Sequence, residues 1–511
     1  MKLSANGLLD PAYHDKGYAL PAYDIEAMRS RTLASPVWLH FGAGNIFRAY
    51  PAAALCRALS AGDTDKGVIV AESHDEAILD KVYHPYDELS LLVTLKADGR
   101  AEKQVVASVA ASYQANPSHR DWESLRRVFV CKDLQLISFT VTEKGYAADG
   151  ADFNAPQSLM ARTARLLFER YLENAAPLAL VSMDNISHNG ERIKEALTAI
   201  ARQWTREGKT DLGFQAYLTH PETLAYPWTM IDKITPRPDE RVRAMLEQDG
   251  FRDTALTVTP MQTYAAPFVN AEETGYLVIE DVFPNGRPAL EAMGFLLTDR
   301  ETVNRAERMK VCACLNPVHT ALAIFGCLLG YTLICDEMND ADLNAFVTRM
   351  AYRESLPVVP KPDVIDPESF LKTVLNVRLP NPFMPDSPQR IATDTSQKLA
   401  VRYGETIKAY LRGEGSGAWP LKYIPMVLAG WLRYLSGTDD SMRPFTLSPD
   451  PMLDRLLPLV RAGDYSAILR DEALFGVDLY QAGLSGAVLE ALHDMSLGAG
   501  AVRRALKEAC A

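Results

Sequence analysis

The sequence lacks an excess of positive charge, which argues against a nucleic-acid partner. Among its 511 residues, 65 are Asp or Glu and 53 are Lys or Arg, giving a net charge of −12. A protein that binds a nucleic-acid backbone needs a basic face to neutralise phosphates. A local cationic pocket for a small anion remains compatible with a negative total charge, so we expect a small-molecule ligand.

Cysteine is sparse, and its spacing fits neither a disulfide framework nor a zinc site. The seven cysteines are odd in number, and none forms a Cys-x-x-Cys pair. The His-Glu-x-x-His, P-loop and Gly-x-Ser-x-Gly motifs are also absent. Residues 1–10 contain one Lys and no long apolar stretch, unlike a signal peptide. We predict a cytoplasmic protein with reduced thiols and no bound metal.

Long uncharged runs are almost missing as well. Only residues 311–335 lack Asp, Glu, Lys and Arg over a length that would span a bilayer. This segment contains Asn316, Pro317 and His319 in its first third, and no second segment resembles it. It therefore predicts a buried core helix with a polar, functional start rather than a membrane span.

The order of apolar runs and helical patterns indicates the fold class. In the first half, runs typical of strands alternate with helical patterns, which predicts a parallel sheet covered by helices. After about Pro288, helical patterns dominate, and 511 residues are too many for a single core. The strand-like runs are 37–41, 68–71, 134–141 and 178–183, and the helical patterns between and after them include 45–59 and 191–207.

A glycine-rich turn between the first strand and the first helix predicts a dinucleotide site. Glycines let the backbone turn sharply and approach a pyrophosphate, while the helix N-terminus offers unpaired N–H groups. The position of a usual third glycine is taken by Phe47, and Arg48 can add charge at the phosphates or form an ion pair. The predicted cofactor-binding residues of this turn are Gly42, Gly44, Asn45, Ile46, Phe47 and Arg48.

An acidic residue at the end of the second strand predicts which dinucleotide binds. Glu72 lies 28 residues after Gly44. A carboxylate there accepts hydrogen bonds from the adenosine ribose and repels a 2′-phosphate, which favours NAD over NADP. Asp75 is the competing candidate, and a solvated loop acid is the alternative interpretation of Glu72.

Three polar residues at the start of the long uncharged segment form a candidate catalytic group. Asn316 and His319 are three residues apart and share a face if the helix has begun. Burial lowers the pKa of a lysine such as Lys310 toward the range of a useful base, and an Asn amide can donate to a substrate oxygen. The structural alternatives are an exposed lysine, a helix cap and a satisfied core histidine.

Two further polar clusters lie outside this segment. Asn185 and Asn189 follow the strand-like run 178–183, where α/β sheets bind ligands, although Asn189 also suits a helix N-cap. Arg390 and Lys398 flank an acid in an irregular segment and can hold a polyol or a carboxylate. A surface ion-pair network is the alternative for this last pair.

Taken in order, these segments resemble the long-chain polyol dehydrogenase family, which includes mannitol 2-dehydrogenases and the mannonate (fructuronate) and tagaturonate reductases. The resemblance extends from about residue 37 to residue 435. It implies an α/β fold with an N-terminal Rossmann-type domain, here residues 1–288, and a mainly α-helical C-terminal domain, residues 289–511. The segments that carry it are 42–48, 140–146, 184–190, 230–236, 279–288, 309–319 and 390–398.

The resemblance also implies roles for individual residues in a zinc-independent mechanism. Lys310 matches the general base, Asn185 and Asn316 match the amides that hold the reacting oxygen, and His319 matches a substrate contact. Asp232 matches an acid on the nicotinamide side, and Arg390 and Lys398 match substrate-binding cations. Five residues separate Lys310 from Asn316, where the family usually has four. Because one residue turns a helix by about 100°, a loop or π-bulge must absorb it.

We therefore predict an NAD-dependent oxidoreductase that interconverts a secondary alcohol and a ketone on a hexuronate or aldonate of the D-mannonate/D-fructuronate type. A neutral polyol dehydrogenase of the mannitol 2-dehydrogenase type is the first alternative. A dinucleotide-binding sensor without catalysis is the second. A dehydrogenase of the 6-phosphogluconate type fits the 184–190 segment poorly.

Overall fold

The computed structural model describes residues 1–173, 175–417 and 419–511. The chain forms two compact units: unit 1 comprises Met1–Lys96 and Arg100–Asn304, and unit 2 comprises Ala97–Gly99 and Arg305–Ala511. The division lies beyond the boundary expected after residue 288, because the strand Leu296–Thr298 still pairs with a strand of unit 1.

The strands that the structure describes lie in unit 1. Their bounds are β1 (Tyr18–Ala19), β2 (Trp38–Phe41), β3 (Val68–Glu72), β4 (Ser90–Leu95), β5 (Ala101–Val106), β6 (Val109–Gln114), β7 (Leu136–Phe139), β8 (Leu178–Ser182), β9 (Leu224–Ala225), β10 (Thr229–Asp232), β11 (Thr257–Val258), β12 (Tyr264–Ala265), β13 (Phe268–Glu272), β14 (Tyr276–Glu280) and β15 (Leu296–Thr298).

The helices of unit 1 are α1 (Ala12–Asp15), α2 (Ile25–Ala34), α3 (Asn45–Ala49), α4 (Pro51–Ala61), α5 (Ala77–Val82), α6 (Asp121–Val130), α7 (Leu159–Glu173), α8 (Asn189–Arg206), α9 (Leu212–Thr219) and α10 (Glu240–Gln248). The helix α11 (Arg300–Arg308) begins in unit 1 and ends in unit 2.

The main sheet of unit 1 has six parallel strands in the order β6-β3-β2-β7-β8-β9. Numbered along the chain, this is the doubly wound order 3-2-1-4-5-6. Successive strands are added on one side of β2 up to β6 and on its other side from β7 onward, so the strand order reverses between β2 and β7. Side chains of β2 are buried on both faces, with Trp38 in one apolar cluster and Leu39 and Phe41 in the other. Burial on both faces explains why the strand has no alternating polar pattern.

Smaller sheets complete unit 1. One has the order β1-β5-β4-β13, a second the order β10-β14-β15, and β11 pairs with β12. The sheet β10-β14-β15 positions the end of β10, where the predicted site residue Asp232 lies.

Unit 2 is helical, as predicted. Its helices are α12 (Asn316–Leu329), α13 (Ile334–Met338), α14 (Ala341–Met350), α15 (Pro367–Thr373), α16 (Pro388–Ile391), α17 (Glu405–Leu411), α18 (Tyr423–Tyr434), α19 (Leu453–Ala462), α20 (Tyr465–Leu469), α21 (Glu472–Phe475), α22 (Ser485–Met495) and α23 (Ala501–Ala509). Among the described residues of unit 2, π-helical segments interrupt this pattern at Met309–Cys314, Ala351–Ser355, Val374–Arg378 and Ala400–Gly404.

The long uncharged segment forms a core helix. The continuous helical stretch Arg300–Leu329 is apolar and long enough to cross a membrane, but 83% of its most apolar window is buried inside the protein. The packing partners of α12 include α14, α16 and α18. This burial agrees with the core helix predicted from the sequence.

Candidate active site

The predicted dinucleotide turn joins β2 to α3 at the point where the strand order of the main sheet reverses. Gly42 has φ +111°, and a Cβ there would collide with the backbone oxygen of Thr140. Gly44 precedes the first residue of α3, and a Cβ on it would meet nothing within 4 Å. Glycine is thus required at Gly42 by conformation, while at Gly44 it leaves the backbone open to an approaching group.

Glu72 is bound to the backbone around this turn. Its Oε2 accepts a hydrogen bond from the N–H of Ala43 at 2.8 Å. Its Oε1 accepts from the N–H groups of Ser73, His74 and Asp75 at 2.9, 2.8 and 3.2 Å. The carboxylate is 8% exposed, so it joins the loop after β3 to the glycine turn. Its expected contact with a ribose stays a prediction.

The alternative ribose ligand, Asp75, is also buried and engaged. Its Oδ2 accepts a hydrogen bond from the hydroxyl of Thr259. Among the three residues that follow Glu72, the side chain of His74 is the exposed one. Both carboxylates named from the sequence therefore stabilise the loops at the end of β3.

The side chain of Arg48, which was expected to bind the phosphates, is buried and bound to other residues of the protein. The residue is 1% exposed, and its Nη1 donates to the backbone oxygen of Ala266 at 2.7 Å. Its Nη2 donates to Oδ1 of Asn45 at 2.9 Å. The two Nη atoms are held by a carbonyl and an amide, while the buried Nε has no hydrogen-bond partner among the described residues. Arg48 therefore stabilises the start of α3 and does not present its charge at the surface of the turn.

A buried histidine beneath the turn escaped the sequence analysis. The ring nitrogens of His40 lie 2.6 Å from Ser138 Oγ and 2.8 Å from Thr140 Oγ1 on β7 and the residue after it. The His40 ring stacks on the ring of Phe47, with 4.0 Å between the ring centroids. Phe47 is the residue at the position of the usual third glycine. Burial lowers the pKa of His40 to about 3, so the ring is neutral. The signal was a lone His in an apolar strand.

The loop after β8 presents Asn185 at the carboxyl edge of the main sheet. Asn185 is exposed, whereas the carboxylate of its neighbour Asp184 accepts from the Val141 N–H at 2.8 Å and from the Tyr146 hydroxyl at 2.6 Å. Burial raises the pKa of Asp184 to about 7. The Tyr146 hydroxyl also lies 2.7 Å from Ser182 Oγ, so this network fixes both ends of the loop.

Asn189 connects this loop to β10. It is the first residue of α8, and His188 occupies the N-cap position, so the N-cap role considered for Asn189 does not apply. The Nδ2 of Asn189 instead donates to Thr229 Oγ1 at 2.8 Å, and the Thr229 N–H donates to Asn189 Oδ1 at 3.0 Å. Thr229 begins β10 and the buried Asp232 ends it, so two predicted site segments of unit 1 are joined.

In unit 2, Lys310 lies in the π-helical segment Met309–Cys314 and is 3% exposed. The N–H of Leu315 donates to the Lys310 oxygen at 3.1 Å, which is the i to i+5 bond of a π-turn. This segment absorbs the additional residue before Asn316, as the spacing required. The helix α12 begins at Asn316, so Asn316 and His319 lie on one face.

His319 is surrounded by charged side chains of unit 2. Its Nε2 lies 3.5 Å from Asp386 Oδ2 and makes no hydrogen bond with any described residue. The pKa of His319 is lowered to about 4, chiefly by burial. Asp386 opposes this shift, and Arg402, Arg390 and Arg378 contribute to it. The imidazole is therefore neutral near pH 7 and suited to hydrogen bonding rather than to charge pairing.

The predicted substrate-binding cations differ in their surroundings. Arg390 is 61% exposed, and its guanidinium pairs with Asp386. The Nζ of Lys398 donates to the carbonyl oxygens of Ile391 and Thr393. Burial lowers the pKa of Lys398, and the neighbouring Arg402 lowers it further. Sequence reasoning missed Asp386, Arg378 and Arg402, since their proximity to His319 depends on the folded helices.

Residues 1–173, 175–417 and 419–511 contain no group of three or more His, Cys, Asp or Glu side chains arranged to hold a metal ion. All seven cysteines are free thiols.

The doubly wound sheet, its glycine turn and the helical second unit define a Rossmann-type oxidoreductase. The family profile of the mannitol dehydrogenase Rossmann domain matches residues 37–292, and that of the mannitol dehydrogenase C-terminal domain matches residues 302–496. The chain therefore belongs to the mannitol dehydrogenase family. This confirms the resemblance inferred from the sequence, the fold class and the prediction of a dehydrogenase that acts on CH–OH groups.

Curated relatives cover nearly the whole chain. It is 45% identical to the D-mannonate oxidoreductase of Thermotoga maritima, with 99% of each chain covered. It is 26% identical to the D-mannonate oxidoreductase of Escherichia coli, with 96% of each covered. The mannitol 2-dehydrogenase of Aspergillus fumigatus is 28% identical over 86% of each chain.

Two solved structures share the fold. A substrate-free D-sorbitol dehydrogenase matches with a TM-score of 0.83 and 23% identity, covering 99% of this chain and 100% of the other. The Pseudomonas fluorescens mannitol 2-dehydrogenase, in a ternary complex with NAD and D-mannitol, matches with a TM-score of 0.71 and 23% identity over 99% of each chain. Both support the two-part architecture.

Proposed function

We propose that the protein is a cytoplasmic, NAD-dependent oxidoreductase that interconverts D-mannonate and D-fructuronate. The observation that carries this proposal is the 45% identity to a D-mannonate oxidoreductase over the full length of both chains. The cations around His319 in unit 2 support it independently, because a sugar acid brings a carboxylate that needs them.

The residues of unit 1 fit the dinucleotide that the proposal requires. The open space at Gly44 accommodates a group that approaches the backbone. The negative charge of Glu72 next to the turn disfavours a second phosphate on the ribose, which supports NAD over NADP. A nicotinamide bound there would supply the hydride acceptor for the carbinol carbon.

Side chains of the protein handle the proton and the oxygen. Lys310, which is buried in its π-helical segment, takes the proton of the substrate hydroxyl. The amides of Asn185 and Asn316 donate hydrogen bonds to the oxygen as it becomes a carbonyl. The neutral His319 hydrogen-bonds an adjacent hydroxyl through Nε2, which has no protein hydrogen-bond partner among the described residues.

The test is NADH oxidation, followed by absorbance, with D-fructuronate, D-tagaturonate, D-fructose and D-fructose 6-phosphate. Selective turnover of fructuronate is the expected result. Selective turnover of fructose would replace the proposal with a neutral polyol dehydrogenase, as the mannitol 2-dehydrogenase relatives allow. NADH binding without turnover of any member would contradict the proposal and indicate a different substrate or a sensor without catalysis.

A further inference from the structure

Arg402 in unit 2 carries a charge that no carboxylate of the described residues neutralises. Its Nη1 donates to the hydroxyl of Thr320, and its Nε and Nη2 form no hydrogen bond with any described residue. No Asp or Glu within the described ranges forms an ion pair with it. The side chain is partly buried, and burial lowers the pKa of its guanidinium. A charge held out of water without a counter-ion is costly.

The position of Arg402 is fixed against the first turn of α12. The Thr320 hydroxyl that accepts from Arg402 donates in turn to the Asn316 oxygen at 2.9 Å. The next residue, Tyr403, donates from its hydroxyl to the Pro317 oxygen at 2.7 Å. Arg402 is therefore held next to the helical turn that carries Asn316 and His319.

Arg402 lies near a second cation, Lys398, and its positive charge lowers the pKa of the Lys398 ammonium. Lys398 is four residues earlier, and the N–H of Arg402 donates to its carbonyl oxygen at 2.9 Å. The carboxylate that lies close to His319, Asp386, is already paired with Arg390. An anion that enters this region would relieve the repulsion between Arg402 and Lys398 and complete the hydrogen bonding of the guanidinium.

We propose that Arg402 binds the carboxylate of the sugar-acid substrate and thereby selects acids over neutral polyols. This inference rests on the proposed function and adds the residue that recognises the carboxylate of the substrate. A guanidinium offers two parallel N–H donors to one carboxylate, and the Nε and Nη2 edge of Arg402 supplies such a pair. Arg390 and Lys398 add positive charge but already bind protein oxygens.

The experiment compares the wild type with Arg402→Met and Arg402→Lys. The Michaelis constant and kcat are measured with D-fructuronate. Inhibition constants are measured for D-gluconate and D-sorbitol, which share a carbon skeleton and differ by a carboxylate. The dissociation constant of NADH is measured by fluorescence. Arg412→Met is the matched control, because Arg412 is exposed and pairs with Glu414 on the surface.

In Arg402→Met we expect the KM for fructuronate and the Ki for gluconate to rise by about 10- to 100-fold, the worth of a charged hydrogen bond. The Ki for sorbitol and the NADH dissociation constant should stay unchanged, and Arg402→Lys should fall between. Arg412→Met should match the wild type. If Arg402→Met does not fold, judged by its melting curve, Arg402→Lys carries the same comparison.

Three outcomes would overturn the inference. An equal rise in the Ki for gluconate and the Ki for sorbitol would show that Arg402 has a structural role. A raised NADH dissociation constant would assign its charge to the phosphates of the cofactor. An unchanged KM would remove it from substrate binding. Absence of fructuronate turnover by the wild type would instead contradict the proposed function. The role of Arg402 would then be decided by the dissociation constants of gluconate and sorbitol, measured by calorimetry on the NADH-bound wild type and on Arg402→Met.

Discussion

Glu72 and Ala43 join the ends of two neighbouring strands through one hydrogen bond, 2.8 Å long, from the Ala43 N–H to Glu72 Oε2. The other carboxylate oxygen holds three consecutive N–H groups of the loop after β3. A residue that the sequence nominated as a cofactor ligand is thus also part of the scaffold of the glycine turn. Its two possible effects, on turn geometry and on cofactor choice, are separable by mutation.

Glu72→Gln should weaken NADH binding by about tenfold or more. A glutamine has one acceptor oxygen, so either the Ala43 bond or the loop bonds are lost, and a charged hydrogen bond contributes about 1.5–3 kcal/mol. A fluorescence titration with NADH measures the effect. Asp80→Asn, an exposed change on α5, is the control. Unchanged NADH affinity would show that the turn does not depend on Glu72.

The same residue should affect cofactor choice. Glu72→Ala is expected to lower the ratio of kcat/KM with NAD to that with NADP, because the charge that repels a 2′-phosphate is removed. The ratio is measured with one substrate and both cofactors. A constant ratio would point to Asp75.

Lys310→Ala should reduce kcat by at least about 100-fold, the usual loss when a general acid–base group is removed. NADH affinity should be retained, because the glycine turn belongs to unit 1 and Lys310 belongs to unit 2. Stopped-flow measurement of NADH oxidation tests the rate, and Lys372→Ala, an exposed change on α15, serves as the control. Near-normal turnover would exclude Lys310 as the base.

The Lys310 to Asn316 spacing illustrates what sequence could predict. Counting residues along a helix showed that one was in excess, and a π-turn was one of two ways to accommodate it; the structure contains that turn. Likewise, alternating apolar runs and helical patterns were sufficient to predict the parallel sheet. Both conclusions follow from periodicity, which is a local property of the chain.

Partners distant in sequence were not predictable in this way. Arg48 looked like a phosphate ligand because of its place in the turn, yet its guanidinium finds the Ala266 oxygen, 218 residues away. Arg402 and Thr320 are 82 residues apart. Which side chains meet across such intervals depends on helix packing, and a single sequence without aligned relatives carries no signal for it.

The acidic side chain of Asp184 should make stability depend on pH. Its pKa is raised from 3.8 to about 7 by burial, so the folded state binds a proton that the unfolded state releases. Stability is therefore fully retained below about pH 4, declines as the pH rises toward 7, and is constant above it. Tyr146 and the Val141 N–H, which favour the ionised form, limit the effect.

Asp184→Asn should remove this dependence. The amide oxygen can accept from both Val141 and Tyr146, so the loop that carries Asn185 should keep its conformation. Relative to the variant, the wild type should lose up to about 4 kcal/mol of unfolding free energy between pH 4 and pH 7, at 1.36 kcal/mol per pKa unit. Urea unfolding across this range measures it. Parallel curves for both proteins would contradict the prediction.

A second buried acid, Glu337 on α13, should be removable with a gain in stability. It packs so closely against α12 that a Cβ on Gly326 would collide with its carboxylate, and neither of its oxygens has a hydrogen-bond partner among the described residues. Its pKa is raised from 4.5 to about 9, chiefly by burial and also by the negative charges of Asp340 and Asp336. At pH 7 the folded protein must therefore hold a proton that the unfolded chain gives up.

This cost sets the sign of the Glu337→Gln effect. A raised carboxyl pKa means that wild-type stability falls as the pH rises from about 4.5 to about 9. The glutamine has the same shape and is neutral at every pH, so it avoids that loss. Its advantage should be absent at pH 4 and reach about 3 kcal/mol at pH 7 as an upper value.

Melting temperatures of the wild type and Glu337→Gln at pH 4, 7 and 9 test this prediction. The control is Glu472→Gln, on the short helix α21 and more than 100 residues from Glu337. A variant that is less stable than the wild type at pH 7 would mean that Glu337 is ionised in the fold and paired with a cation.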